Sequence, residues 1–128
     1  MFACCYFIIY QISKHNKTPP AGVNHKVCIT IKHYQIMIRL NCFLEIADSA
    51  LRQKAVDAAV ELVELSLHDP GCVSYEAFSS LTADNHIEIV ETWQDEPSLQ
   101  AHMAAPHFRR LVPILEQCGT LTLEKFTF

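Results

Sequence analysis

The sequence predicts an α+β sandwich built on a four-stranded antiparallel sheet, and three observations carry that prediction. The first and last segments of the domain alternate apolar and polar residues with a strand's period of two. Two further strand-like runs in the middle are separated by a four-residue turn. Helical stretches fall between the first pair of strands and again before the last. The order strand, helix, strand, strand, helix, strand is that of a ferredoxin-like sandwich, in which helices cover one face of the sheet. A chain of 128 residues is long enough for one core and too short for two.

Ile36–Ile46 is the first strand: Ile38, Leu40, Cys42, Leu44 and Ile46 point one way, and Arg39, Asn41, Phe43 and Glu45 the other. Asp48 or Ser49 caps a helix running to about Leu67, with Leu51, Ala55, Ala58, Leu62 and Leu65 spaced along one buried face. His68-Asp69-Pro70-Gly71 ends it. Cys72–Leu81 and His86–Gln94 form a hairpin across Thr82-Ala83-Asp84-Asn85. Asp95 caps a short helix that has Pro97 in its first turn and ends near Ala104. Pro106 starts another helical piece, which Pro113 should disturb because proline lacks the N–H that an interior turn uses. Gly119 punctuates, and Thr120–Phe128 alternates as the last strand. A sheet covered on one face leaves the other bare. That face should carry Asn41 and Phe43, with Tyr75 and Trp93 near it, and a second copy packed sheet to sheet would cover it, so the expectation is a homodimeric α/β barrel.

Residues 1–36 read differently from the rest. They contain no acid and are rich in Ile, Lys, Tyr, Phe and Asn, and Thr18-Pro19-Pro20-Ala21-Gly22 breaks any structure. Phe2–Ile12 is apolar but far shorter than the roughly 20 residues of a membrane span, and it lacks the flanks of a secretory signal. The expectation is a poorly ordered extension, with Met37 as the natural start or, alternatively, a genuine tail, and a functional domain over residues 37–128.

Composition excludes several chemistries. Glycine occurs only at Gly22, Gly71 and Gly119, too few for a phosphate-cradling loop or a dinucleotide fingerprint. The six cysteines show no C-x-x-C spacing, which suits small buried hydrophobes in a reducing cytoplasm. Residues 37–128 hold six basic and fourteen acidic side chains, a net of −8, which argues against nucleic acid or an anionic membrane as partner.

The remaining chemistry gathers between Val90 and Phe108. His102 is the candidate base, since an imidazole pKa of about 6.5 suits proton abstraction near neutrality; alternatively it is a helix histidine bonded to a carbonyl. Trp93, on one strand face with Ile87, Ile89 and Glu91, is a stacking wall for a planar substrate, a core aromatic, or both. Asn41 is disfavoured in mid-strand and would polarise a substrate oxygen. Tyr75 orients substrate or packs at the rim. Glu91 reads as a structural hydrogen-bond partner, and His107 as a cap at a helix start. His102 and His107 are five apart with Pro106 between them, so they do not share a helix face as a zinc pair would, and no metal is expected.

Three segments together resemble the antibiotic biosynthesis monooxygenase family, which includes quinol monooxygenases. They are Pro70-Gly71-Cys72-Val73-Ser74-Tyr75-Glu76, Val90-Glu91-Thr92-Trp93, and Leu99-Gln100-Ala101-His102-Met103 with Ala105-Pro106-His107-Phe108. The resemblance spans about residues 37–128. It implies a dimeric α/β-barrel protein that oxygenates a small phenol or hydroquinone with O₂ and needs no metal, flavin or other cofactor. His102, Asn41, Trp93 and Tyr75 would then be catalytic, with Phe43, Glu91, His107 and Phe108 against the substrate. Haem-degrading relatives pair a strand Asn with a helix Trp and a His about ten residues on. Here His102 stands in the Trp place, and ten residues on is Val112, which cannot ligate iron. Two readings stay open beside oxygenation. One is an isomerase of a small phosphorylated diketone, although a phosphate clamp wants more cations than the domain has; the other is a dimer that binds a small aromatic ligand without turnover.

Overall fold

The computed structural model describes residues 36–128. The expectations for residues 1–36 therefore fall, all but Ile36, outside the described residues. The elements follow as β1 (Ile38–Ile46), a 3₁₀ turn (Ser49–Leu51), α1 (Arg52–Ser66), β2 (Cys72–Ser79), β3 (His86–Trp93), α2 (Glu96–Ala104), α3 (Pro106–Cys118) and β4 (Gly119–Thr127). The sheet runs β2-β3-β1-β4 and every pairing is antiparallel, so the fold is the expected ferredoxin-like α+β sandwich. None of the helices among the described residues is long and apolar enough to cross a membrane.

One sheet face and the helices share a single core. Ile38, Leu40, Leu44 and Ile46 of β1 meet Ile87, Ile89 and Trp93 of β3, with Ala55, Ala59 and Leu62 of α1 and Leu111 and Leu115 of α3 above them. The inward face of β1 is the one its alternation marks. On α1 the buried side is Ala55, Ala58, Ala59, Leu62 and Ser66, while Leu65, expected inside, is 39% exposed. At 3.6 residues per turn the stripe drifts, and Ser66 takes the position that Leu65 leaves.

Two local features depart from simple periodicity. β2 carries a bulge between Cys72 and Ser74, which resets its alternation so that Cys72, opposite Trp93, and Tyr75, opposite Glu91, both face the helices. Pro113 does not interrupt α3, which runs unbroken to Cys118. The lost N–H strips a partner from the carbonyl of Arg109, an exposed residue, and the buried Leu111, Leu115 and Cys118 hold the helix on the core.

The register corrects one expectation. Trp93 pairs with Ile38 and Glu91 with Leu40, so Trp93 and Tyr75 point under the helices and not toward the bare face. Asn41 and Phe43 do lie on that outer face, together with Glu45, Glu76, Glu88 and Glu124.

Candidate active site

His102 stands at the centre of the site. Asp95 positions its helix by accepting Ser98 N–H at 2.9 Å and Ser98 Oγ–H at 2.6 Å, with Pro97 in the first turn as expected. Leu99 and His102, three apart, are the buried ridge of α2, 0% and 1% exposed. Aromatic rings enclose the imidazole: Trp93 with a centroid distance of 4.5 Å, Phe108 at 4.9 Å, Tyr75 at 5.5 Å and His107 at 5.7 Å.

The two ring nitrogens have different surroundings. Nδ1 is 2.7 Å from Asp69 Oδ2; a carboxylate only accepts, so the ring donates. The same oxygen accepts from His107 Nε2 at 3.0 Å. His102 Nε2 is buried without a hydrogen-bond partner among the described residues and lies 3.7 Å from Glu91 Oε2. That oxygen accepts Trp93 Nε1–H at 2.7 Å, and Cys42 Sγ approaches the other oxygen at 3.7 Å.

Burial sets the electrostatics. It raises the Glu91 carboxyl to a pKa of about 7, against the hydrogen bonds from Trp93 and Cys42, which lower it. Burial also pushes His102 below its ordinary value, opposed by the bond to Asp69. The Tyr75 phenol is driven well above its usual range by burial and then by the Glu91 charge. Near neutrality the site thus holds an uncharged imidazole beside a carboxyl poised to take up or lose a proton.

Six of the eight residues expected from sequence meet here: His102, Trp93, Tyr75, Glu91, His107 and Phe108. Asn41 and Phe43 do not, because the sheet separates them from His102. Asn41 Oδ1 is buried without a partner among the described residues, and Phe43 lines a shallow outer depression of about 270 Å³ with Phe78 and His86. His107 does not cap its helix as expected, since Ala105 is the N-cap and no side chain caps it; its ring bonds to Asp69 instead. The extended backbone of Ala105 turns α3 back on α2, so two histidines that share no helix face still converge on one oxygen, and the spacing argument does not keep them apart. Sequence reading missed Asp69, which it treated only as part of a helix stop. Its partner lies 33 residues further on, and no local pattern links the two. Gly71 places it: φ is +82° and a Cβ would run into the Ser98 side chain, while Gln94 N–H donates to the Gly71 carbonyl at 2.9 Å.

Fold and site together define a small ferredoxin-like domain with a buried histidine held between a carboxylate and an aromatic shell. The family model of antibiotic biosynthesis monooxygenases matches residues 37–113, and the chain belongs to that family. A crystal structure from Bacteroides thetaiotaomicron, a conserved protein of unknown function described as a possible oxidoreductase, is 40% identical. It covers 73% of this chain and 99% of its own, with a TM-score of 0.71. SnoaB from Streptomyces nogalater, a cofactor-independent oxygenase matched through the structure of a point mutant, is 17% identical. It has a TM-score of 0.63 over 73% of this chain and 93% of its own and shares the fold. An uncharacterized Synechocystis protein is 28% identical over 61 residues, which span 48% of this chain and 42% of that protein.

Proposed function

We propose that the domain is a monooxygenase that oxidises a small phenol or hydroquinone with O₂, without metal or flavin, and that His102 Nε2 is its base. The observation that carries this reading is an imidazole fixed at Nδ1 by Asp69, with its other nitrogen lacking a hydrogen-bond partner among the described residues inside an aromatic shell. Asp69 holds the ring in the tautomer that leaves Nε2 as acceptor and stabilises the imidazolium that forms. Trp93, Phe108 and Tyr75 close around the imidazole and would line a planar ring admitted beside it, and Glu91, fixed by Trp93, stands 3.7 Å from Nε2. Because His102 is 1% exposed, the substrate gains access only when the shell parts.

His102 takes the phenolic proton, and the electron-rich anion bonds to O₂ through a ring carbon, giving a peroxide anion that the imidazolium protonates to a hydroperoxide. The O–O bond then breaks as the same carbon loses its hydrogen, hydroxide and that proton leave as water, and a quinone remains. One oxygen atom goes to the product and one to water, with all four electrons supplied by the substrate. We place the enzyme in the cytoplasm, since the Cys72 thiol, raised to about 11 chiefly by burial, and the buried Cys118 act as packing groups.

Oxygen uptake with a panel of phenols and quinols tests the reading. His102→Ala should lower kcat by about 10²–10⁴-fold and leave the circular dichroism spectrum intact, while Trp93→Phe acts mainly through KM. Turnover unchanged in His102→Ala removes the histidine from the chemistry.

A further inference from the structure

Asp69, His102 and His107 have the donor set and spacing of a three-ligand metal site, and we propose that they bind a borderline divalent cation of the zinc class. Asp69 Oδ2, His102 Nδ1 and His107 Nε2 all lie within 4.8 Å of one another, and the two nitrogens are 2.7 and 3.0 Å from the oxygen. A tetrahedral cation with bonds of about 2.0–2.1 Å sets adjacent donors roughly 3.3 Å apart. Each nitrogen need withdraw from the oxygen by only about 0.3–0.6 Å, and the two nitrogens, within 4.8 Å of each other, must close toward about 3.3 Å. Two imidazoles and a carboxylate suit zinc and leave a fourth position for water. The side chains of Asp69 and His107 are 17% and 14% exposed, which opens a path for the cation from solvent, and His102 closes the site from within.

The far side of His102 supplies an independent observation. Nε2 lacks a partner among the described residues yet lies 3.7 Å from the Glu91 carboxyl, which Trp93 holds in place. A neutral imidazole that ligates through Nδ1 must carry its proton on Nε2, where the proton points at that carboxyl. Metal-bound histidines are commonly oriented in this way, by a carboxylate on the opposite nitrogen. With Nδ1–H turned to Asp69 instead, Nε2 presents a lone pair and finds no donor. Cation binding therefore moves the proton of each neutral ring to its other nitrogen, from Nδ1 to Nε2 in His102 and from Nε2 to Nδ1 in His107, and needs no net proton release. It also consumes the lone pair that the proposed oxygenation uses, so the cation should inhibit. The inhibition rests on the oxygenase reading, whereas the binding does not.

The test is a titration of chelator-stripped, full-length protein with Co²⁺ alone, followed by its visible d–d absorption, and with Zn²⁺ by calorimetry. The wild type should take up one more saturable cation per chain than His107→Gln or Asp69→Asn, and Glu91→Gln should weaken that site by about 10–100-fold. His68→Gln, at an exposed histidine next to Asp69 in sequence, should bind like the wild type. Asp69→Asn keeps the size of the side chain and an oxygen acceptor, so it separates loss of a ligand from loss of fold. The same stoichiometry and affinity in wild type, Asp69→Asn and His107→Gln would overturn the proposal. A cation that binds as described but leaves oxygen uptake unchanged upholds the site and counts against His102 as the base.

Discussion

Glu91 shows how much one buried side chain can do. In the folded chain it titrates near 7, against an ordinary 4.5, so the native state binds the extra proton between those values. The stability this group contributes is complete below about pH 4.5 and is lost as pH rises through about 7. His102 runs the other way. Burial lowers its pKa from 6.5, so its contribution is present above 6.5 and is lost as pH falls through the lowered value. Glu91→Gln preserves an acceptor for Trp93 Nε1 and removes the titration. Urea unfolding in the presence of chelator should show the stability difference, wild type minus variant, falling by on the order of 2–3 kcal/mol from pH 4.5 to 7. A difference that stays flat over that range would mean that Glu91 titrates as a solvated carboxyl, and one that grows would mean that folding stabilises its charged form.

At the scale of elements, the turn from α1 to β2 decides whether the site exists. It delivers Asp69 to His102, and Gly71 makes it possible by adopting a φ of +82° against the Ser98 side chain. Gly71→Ala places a Cβ in a left-handed backbone, which costs about 1–2 kcal/mol, and forces Ser98 aside from Asp95, its capping partner. The unfolding midpoint should fall, and kcat should fall with it as Asp69 loses its hold on the imidazole. A variant with unchanged midpoint and kcat would show that the turn adapts without moving Asp69. The bulge in β2 has a comparable role, since without it Tyr75 and Cys72 could not face the same way.

For the whole molecule, the outer sheet face governs how copies can assemble. Phe78 and Phe126 are 49% and 48% exposed there, beside Phe43, and a second copy packed sheet to sheet would bury all three. The same face carries Glu45, Glu76, Glu88 and Glu124 against Arg39, so two copies repel electrostatically at long range. Light scattering at micromolar concentration should give a dimer whose association tightens with added salt, as screening weakens that repulsion, and Phe78→Asp should shift it toward monomer. A monomer at every salt concentration would leave the outer face to another partner.

Periodicity and turn residues along the chain were enough to read the sheet, the order of its strands and helices and the Asp95 cap, and residue type singled out His102 and Trp93, whose rings meet at 4.5 Å. Those features depend on neighbours two to four residues away, which a sequence displays directly. Three others were decided only in the folded molecule. The pairing of Asp69 with His102 spans 33 residues and depends on the Gly71 turn. The convergence of His107 on the same carboxylate depends on how α3 turns back at Ala105. The separation of Asn41 and Phe43 from the imidazole follows from which sheet face the helices cover. Long-range convergence is set by packing and turn geometry, and residue spacing carries no record of it.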